Sequence, residues 1–253
     1  MMPVHIKEFL DSKVKEYNRP AFIRDDPIAI PHLFTQKQDI EIAAFFAAVF
    51  AWGNRTTIIN KSKELMQRMD HAPYAFIKSH QPKHLQNLKG FRHRTFNTDD
   101  LYYFLEFLHQ HYLIHESLEP AFFPSRNHNA EKGLIHFRNY FFSFEHLRRT
   151  EKHISSPLKK STCKRLNMFL RWMVRNDANG VDFGLWKNIS SSELICPIDV
   201  HVARVAKKLG LLKRKQVDWF AAVELTDALR QLDKNDPVKY DFALFNLGVI
   251  ERF

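Results

Sequence analysis

Residues 196–211 read Cys196-Pro197-Ile198-Asp199-Val200-His201-Val202-Ala203-Arg204-Val205-Ala206-Lys207-Lys208-Leu209-Gly210-Leu211, one helix with both of its ends. Asp199 stands where a side-chain oxygen can accept hydrogen bonds from the next turn's N–H groups. Val202, Val205, Ala206 and Leu209 recur at three- and four-residue spacing, which is one face of a helix. Gly210 then supplies the left-handed stop. A short helix with a single apolar face must bury that face against neighbours.

Upstream, Leu166, Phe169, Leu170, Met173 and Val174 line one side of a second helix, with Lys164, Arg171 and Arg175 as a basic stripe on another. The chain turns at Asn179-Gly180 and loops from Trp186 to Pro197. Helical spacing recurs at Ile42, Phe45, Phe46, Val49 and Phe50, and at Leu101, Phe104, Leu105 and Leu108 after the cap-like Thr98-Asp99-Asp100. Further helices are expected over about Asp218 to Leu232 and from about Pro237 onward. Alternating β patterns are absent, and 7 glycines are too few for a β-rich fold. The expectation is an all-α protein, residues 1–253 forming one compact unit. Its approximate lobes are 40–185, and 1–39 with 190–253, with a ligand cleft between them. The most linker-like stretch, Pro120 to Glu131, still carries two phenylalanines.

A 45% hydrophobic, 26% charged composition excludes a wholly disordered chain. The formal charge of +10 favours a polyanionic partner, most simply nucleic acid. Cys163 and Cys196, the two cysteines, are too few for a disulfide framework or a four-cysteine iron–sulfur cluster. The apolar run Ile42–Trp52 falls short of the roughly 20 residues that cross a bilayer, and no apolar signal core opens the chain. A cytoplasmic protein without membrane attachment is expected.

The segment PIDVHVARVAKKLGL resembles the signature of the helix-hairpin-helix DNA glycosylases of the endonuclease III and 8-oxoguanine glycosylase type. Ala44–Arg55 and Thr57–Met69 are similar to the opening helices of that superfamily's helical barrel. KRLNMFLRWMVR, VDFGLW and YDFALFNLGV also resemble a bacterial family related to it. The resemblance implies two helical lobes and an N-glycosylase acting on a flipped, damaged base in double-stranded DNA. It makes Asp199 the essential aspartate and Lys164 the Schiff-base lysine, with Lys160 and Lys159 as substitutes. The amine would attack C1′ while the carboxylate orients it and stabilises charge on the sugar. Arg55, Lys159, Lys160, Arg165, Arg171, Trp172, His201 and Arg204 are the expected substrate or DNA contacts. No cofactor or metal is implied, and a monomer is expected. Two departures stand out: the hairpin region Ser156–Thr162 holds no glycine, and Lys164 and Asp199 lie 35 positions apart.

Plainer readings compete. Asp199 can be a cap only, Lys164 part of a solvated basic face, and Trp52, Trp172 and Trp186 core residues. Arg92 and Arg94 fit a phosphate contact or an exposed basic loop equally. His80/His84 and His111/His115 have metal-compatible i, i+4 spacing but no accompanying carboxylate motif, and Asp182-Phe183-Gly184 reads as a turn. At the level of function, the alternative is a non-catalytic nucleic-acid-binding protein that keeps the glycosylase fold. A third reading is an interaction module whose basic surface meets a protein or RNA.

Overall fold

The computed structural model describes residues 4–126 and 129–253. Of the linker-like stretch 120–131, Asn127 and His128 lie outside the described residues. The α-helices among the described residues are α1 (Val4–Tyr17), α2 (Lys37–Phe50), α3 (Arg55–Arg68), α4 (Pro73–Ser79), α5 (Pro82–Leu85), α6 (Thr98–Ile114), α7 (Glu119–Phe122), α8 (Ala130–Phe141), α9 (Lys164–Val174), α10 (Val200–Lys208), α11 (Trp219–Arg230) and α12 (Asp241–Val249). Short 3-10 turns join several of them, and the β pairing among the described residues is one isolated bridge, His93 to Phe96. The protein is all-α. No helix among the described residues is long and apolar enough to cross a membrane.

The chain divides into two compact units, one of residues 1–22, 126–135 and 156–253, the other of 23–125 and 136–155. These boundaries differ from the expected lobes: 156–185 group with the C-terminal helices, and 23–39 with α2 to α6. The first regrouping has a clear cause. Arg171 and Arg175 on α9 pair with Asp241 and Asp236 near the C-terminal end of the chain, which binds α9 to α12 and the turn before it.

The unit of residues 23–125 and 136–155 is built on phenylalanine. Every residue from Ile42 to Phe50 is buried, so this apolar run is a core helix with no solvent face. Phe45 stacks on Phe104 at 5.7 Å, Phe104 meets Phe141 edge-on at 4.7 Å, and Phe122 stacks on Phe137 at 3.8 Å. Ring pairs of this kind add to area burial through their quadrupoles. The polar groups inside are satisfied in kind: buried Glu41 accepts from Tyr112 Oη at 3.0 Å, Ser117 Oγ at 2.5 Å and Leu118 N at 2.9 Å. A buried carboxylate needs such donors, because desolvation otherwise costs several kcal/mol.

In the other unit α12 is the central element, packed against both α10 and α1. Its contact with α10 is close at Gly248, where an added Cβ would lie 3.1 Å from the Cβ and carbonyl oxygen of His201. Glycine is what permits this approach.

Candidate active site

α9 starts without a side-chain cap. Cys163, its N-cap residue, has φ 51° and Lys160 has φ 56°, so both occupy left-handed backbone that ordinarily favours glycine, at a cost of roughly 1–2 kcal/mol each. Side chains supply what glycine does not: Cys163 N donates to Ser161 Oγ at 3.2 Å, and Asn167 Nδ2 donates to Thr162 O at 3.0 Å. The turn is further tied down by Trp219 N, which donates to Lys160 O at 3.1 Å.

Lys164, first residue of α9, is half-buried. Its Nζ lies 3.5 Å from Met168 Sδ and 5.8 Å above the ring of Phe245 on α12. Asp199 caps α10: its Oδ1 accepts from His201 N at 2.9 Å and Val202 N at 3.0 Å, the arrangement expected from its position before the apolar face. Gly210 follows α10 with φ 70°. His201 is half-buried, and its Nδ1 is enclosed without a hydrogen-bond partner.

Near them, at the start of α12, lies Asp241. It is buried, and Arg171 Nη1 donates to its Oδ2 at 2.6 Å. Burial pushes its carboxyl up to about 6, the charges of Asp199 and Asp182 adding to the effect and those of Arg171 and Lys164 opposing it. Cys196 lies in the same field. Burial holds its thiol well above the ordinary range, with Asp241 and Asp199 pushing it further up and Arg171 opposing them, so it is an inert core thiol.

Several expected contacts have other positions. Arg171 was expected at substrate or DNA, yet it is 3% exposed and shared between Asp241 and Asp182, its Nε lying 3.4 Å from Asp182 Oδ1. Arg175 is equally enclosed, pairing with Asp182 at 3.0 Å, with Asp236 at 2.8 Å and with Asp177. The basic stripe of α9 therefore faces inward, because acidic groups from the following loop and from the approach to α12 close over it. Trp172 is fully buried with its indole N–H unpartnered, which makes it core. Trp186 is also core, edge-on to Phe169 at 5.3 Å. Arg204 is exposed but donates to Gly248 O at 2.7 Å and to Phe253 O at 3.3 Å. Burial lowers the Arg165 guanidinium to about 10, while Lys159 and Lys160 are exposed. Arg55 opens α3 in the other unit. There too, the Arg94 guanidinium lies 4.5 Å above the Trp52 ring.

Members of both histidine pairs have local hydrogen-bond partners. His111 is buried, with Nε2 2.8 Å from Ser117 O, and burial lowers it to about 4. His84 Nδ1 accepts from Gln81 N at 3.1 Å. Among the described residues no three His, Cys, Asp or Glu side chains are grouped to hold a metal. Asp182, read as a turn residue, lies at a bend and is also a buried partner of two arginines.

The chain belongs to a family of unknown function, DUF2400, whose model matches residues 26–250. No curated protein and no solved structure matches it.

Proposed function

We propose that the chain is a DNA-repair-like N-glycosylase acting on a flipped, damaged base, with lyase action through a Schiff base on Lys164. The observation that carries this reading is that Lys164 and the Asp199 cap both lie beside α12: the Lys164 Nζ is 5.8 Å above the Phe245 ring, and Gly248 lies against His201, two residues beyond Asp199. The two residues thus reach the same helix although 35 positions separate them. In the reaction the Lys164 amine attacks C1′, its new C–N bond forming as the sugar–base C–N bond breaks and the electron pair leaves with the base. The Asp199 carboxylate orients the amine and stabilises positive charge on the sugar. Exposed lysines such as Lys159 and Lys160 supply attraction to phosphate that does not depend on sequence.

The test is borohydride trapping on a duplex carrying an abasic site or an oxidised base. The parent protein gives a covalent adduct and Lys164→Ala gives none. Asp199→Asn lowers base excision by about a hundredfold or more while DNA affinity stays nearly unchanged. Binding weakens steeply as salt rises. The second reading, a non-catalytic nucleic-acid-binding protein, is favoured by the two backbone bonds that Asp199 Oδ1 already accepts. A parent protein that binds the damaged duplex yet releases no base and gives no adduct would establish it, whereas variants as fast as the parent would overturn the roles given to Lys164 and Asp199.

A further inference from the structure

We infer that the pocket lined by the end of α3, by α4 and by α5 binds a primary alkylammonium group, with Asp70 as its carboxylate and His80 as a second acceptor. The pocket belongs to the unit that holds neither Lys164 nor Asp199, so it stands apart from the glycosylase reading.

α3 ends in a left-handed turn. Asp70 N donates to Gln67 O at 3.0 Å and His71 N to Met66 O at 2.9 Å, the pair of bonds that usually closes a helix on glycine. Here the residue in glycine's place is Asp70, with φ 57°. An acid is disfavoured there twice, by the left-handed backbone and by the negative end of the helix. Its carboxylate recovers neither cost inside the protein, since it has no hydrogen bond or ion pair among the described residues. Nor is it needed to start α4, where Asp39 already accepts from Tyr74 N at 2.8 Å. A strained residue with no structural partner points to a ligand.

Asp70 lines an open pocket of about 210 Å³, which at roughly 30 Å³ per water-sized group holds about seven non-hydrogen atoms. Met69, Ala72, Ala75 and Phe76 give it an apolar lining, and no lysine or arginine is among the described residues around it. In a chain of formal charge +10, a pocket whose full charge is a carboxylate attracts cations and repels anions.

The two histidines that line it have fixed polarity. His80 Nδ1 lies 3.1 Å from Ile77 O, and His109 Nδ1 shares that oxygen at 2.7 Å. A carbonyl only accepts, so His80 carries a proton on Nδ1 and, when neutral, a lone pair on Nε2. His84 is the reverse. Its Nδ1 accepts from Gln81 N, so the ring is neutral and adds no positive charge. Phe76 stacks on His80 at 5.7 Å and is tilted against His84 at 6.5 Å.

Three aromatic rings, a free carboxylate and an imidazole acceptor suit an ammonium head on an apolar chain. The rings attract the cation, Asp70 and His80 Nε2 accept its N–H groups, and its methylenes cover the alanines and Met69. A quaternary ammonium would leave both acceptors unmet, and a guanidinium would leave most of its five donors unmet.

The experiment is a titration of the full chain at about pH 8, where alkylamines are charged, followed through the ring protons of His80 and His84 by NMR. The probes are cadaverine, Nα-acetyl-lysine amide and, as the neutral control, pentanediol. Saturable shifts with an amine and none with the diol are expected. A response to cadaverine alone makes the ligand a free amine, and a response to the lysine amide alone makes it a lysine side chain of a partner protein. Asp70→Asn keeps the turn, because asparagine tolerates left-handed backbone, and should weaken binding at least about tenfold without lowering the melting point. His80→Phe keeps the ring on Phe76, removes the acceptor and should weaken binding severalfold. Absence of saturation below about 20 mM, equal shifts with the diol, tighter binding of acetate than of either amine, or parent affinity in either variant overturns the inference.

Discussion

Asp100 and Asp241 are both buried carboxylates in the first turn of a helix, one in each unit, and their surroundings drive them in opposite directions. Asp100 accepts from Asn97 N at 3.0 Å, Thr150 Oγ1 at 2.8 Å and Arg149 Nη1 at 2.7 Å, and His153 Nε2 lies 3.2 Å away. Although burial alone would raise it, His153 and these donors bring it down to about 2. Among the described residues Asp241 accepts one side-chain hydrogen bond, and burial, with the charges of Asp199 and Asp182 adding to it, pushes it up to about 6. Burial is common to both, so the supply of donors decides the outcome. A saturated carboxylate is a fastener, and an undersupplied one can change charge at working pH.

The largest expected effect tests the fastener. Asp100→Asn should cost about 3 kcal/mol, the scale for breaking a buried charged network, and Asp241→Asn less than half of that, because Arg171 keeps Asp182. Denaturant unfolding of both variants measures the difference, and equal losses would break the contrast.

The two carboxylates should also leave opposite marks on stability against pH. Asp100 is held below its ordinary value of 3.8, so its contribution is present above that value and is lost as pH falls towards about 2. Asp241 is held above 3.8, so its contribution is present at low pH and is lost as pH rises through about 6. Stability should therefore increase from pH 7 to 4.5 by up to about 2 kcal/mol and decrease below pH 4. In Asp241→Asn the first of these slopes should flatten.

Gly248→Ala sharpens the comparison by perturbing one side of it. The added methyl meets the His201 backbone at 3.1 Å, and overpacking of this kind costs about 1–2 kcal/mol. It should displace the α10 cap from α12 and move the Asp241 titration, followed by carboxyl NMR shifts, while Asp100 stays in place. The smallest effect is a gain: Lys160→Gly relieves left-handed backbone and should stabilise the protein by up to about 1 kcal/mol, seen as a melting point a few degrees higher.

What could be read from the sequence follows the range of the interactions. α10 was legible at both ends because its cap, apolar face and stop glycine are local signals. The all-helical class was legible for the same reason. The inward turn of Arg171 and Arg175 was not, since their partners Asp241 and Asp236 lie 70 and 61 positions away and a charged stripe at helical spacing has the same pattern whether water or aspartates face it. Asp241 itself left one trace, a lone acid opening an apolar helix. The left-handed turns at Lys160 and Cys163 left none, because side chains rather than glycine support them. Lys164 as nucleophile and Asp199 as catalytic carboxylate follow from the resemblance alone, whereas Asp199 as a helix cap is legible from its position before the apolar face.

The inward arginines also divide the positive charge of the molecule by chemistry. Arg138, Arg171 and Arg175 are buried, whereas no lysine is buried among the described residues. The 21 lysines outnumber the net charge of +10, so complete lysine acetylation, which removes one charge per residue, would invert the sign of the protein. The arginine–aspartate pairs inside would be untouched, leaving a folded polyanion in place of a folded polycation.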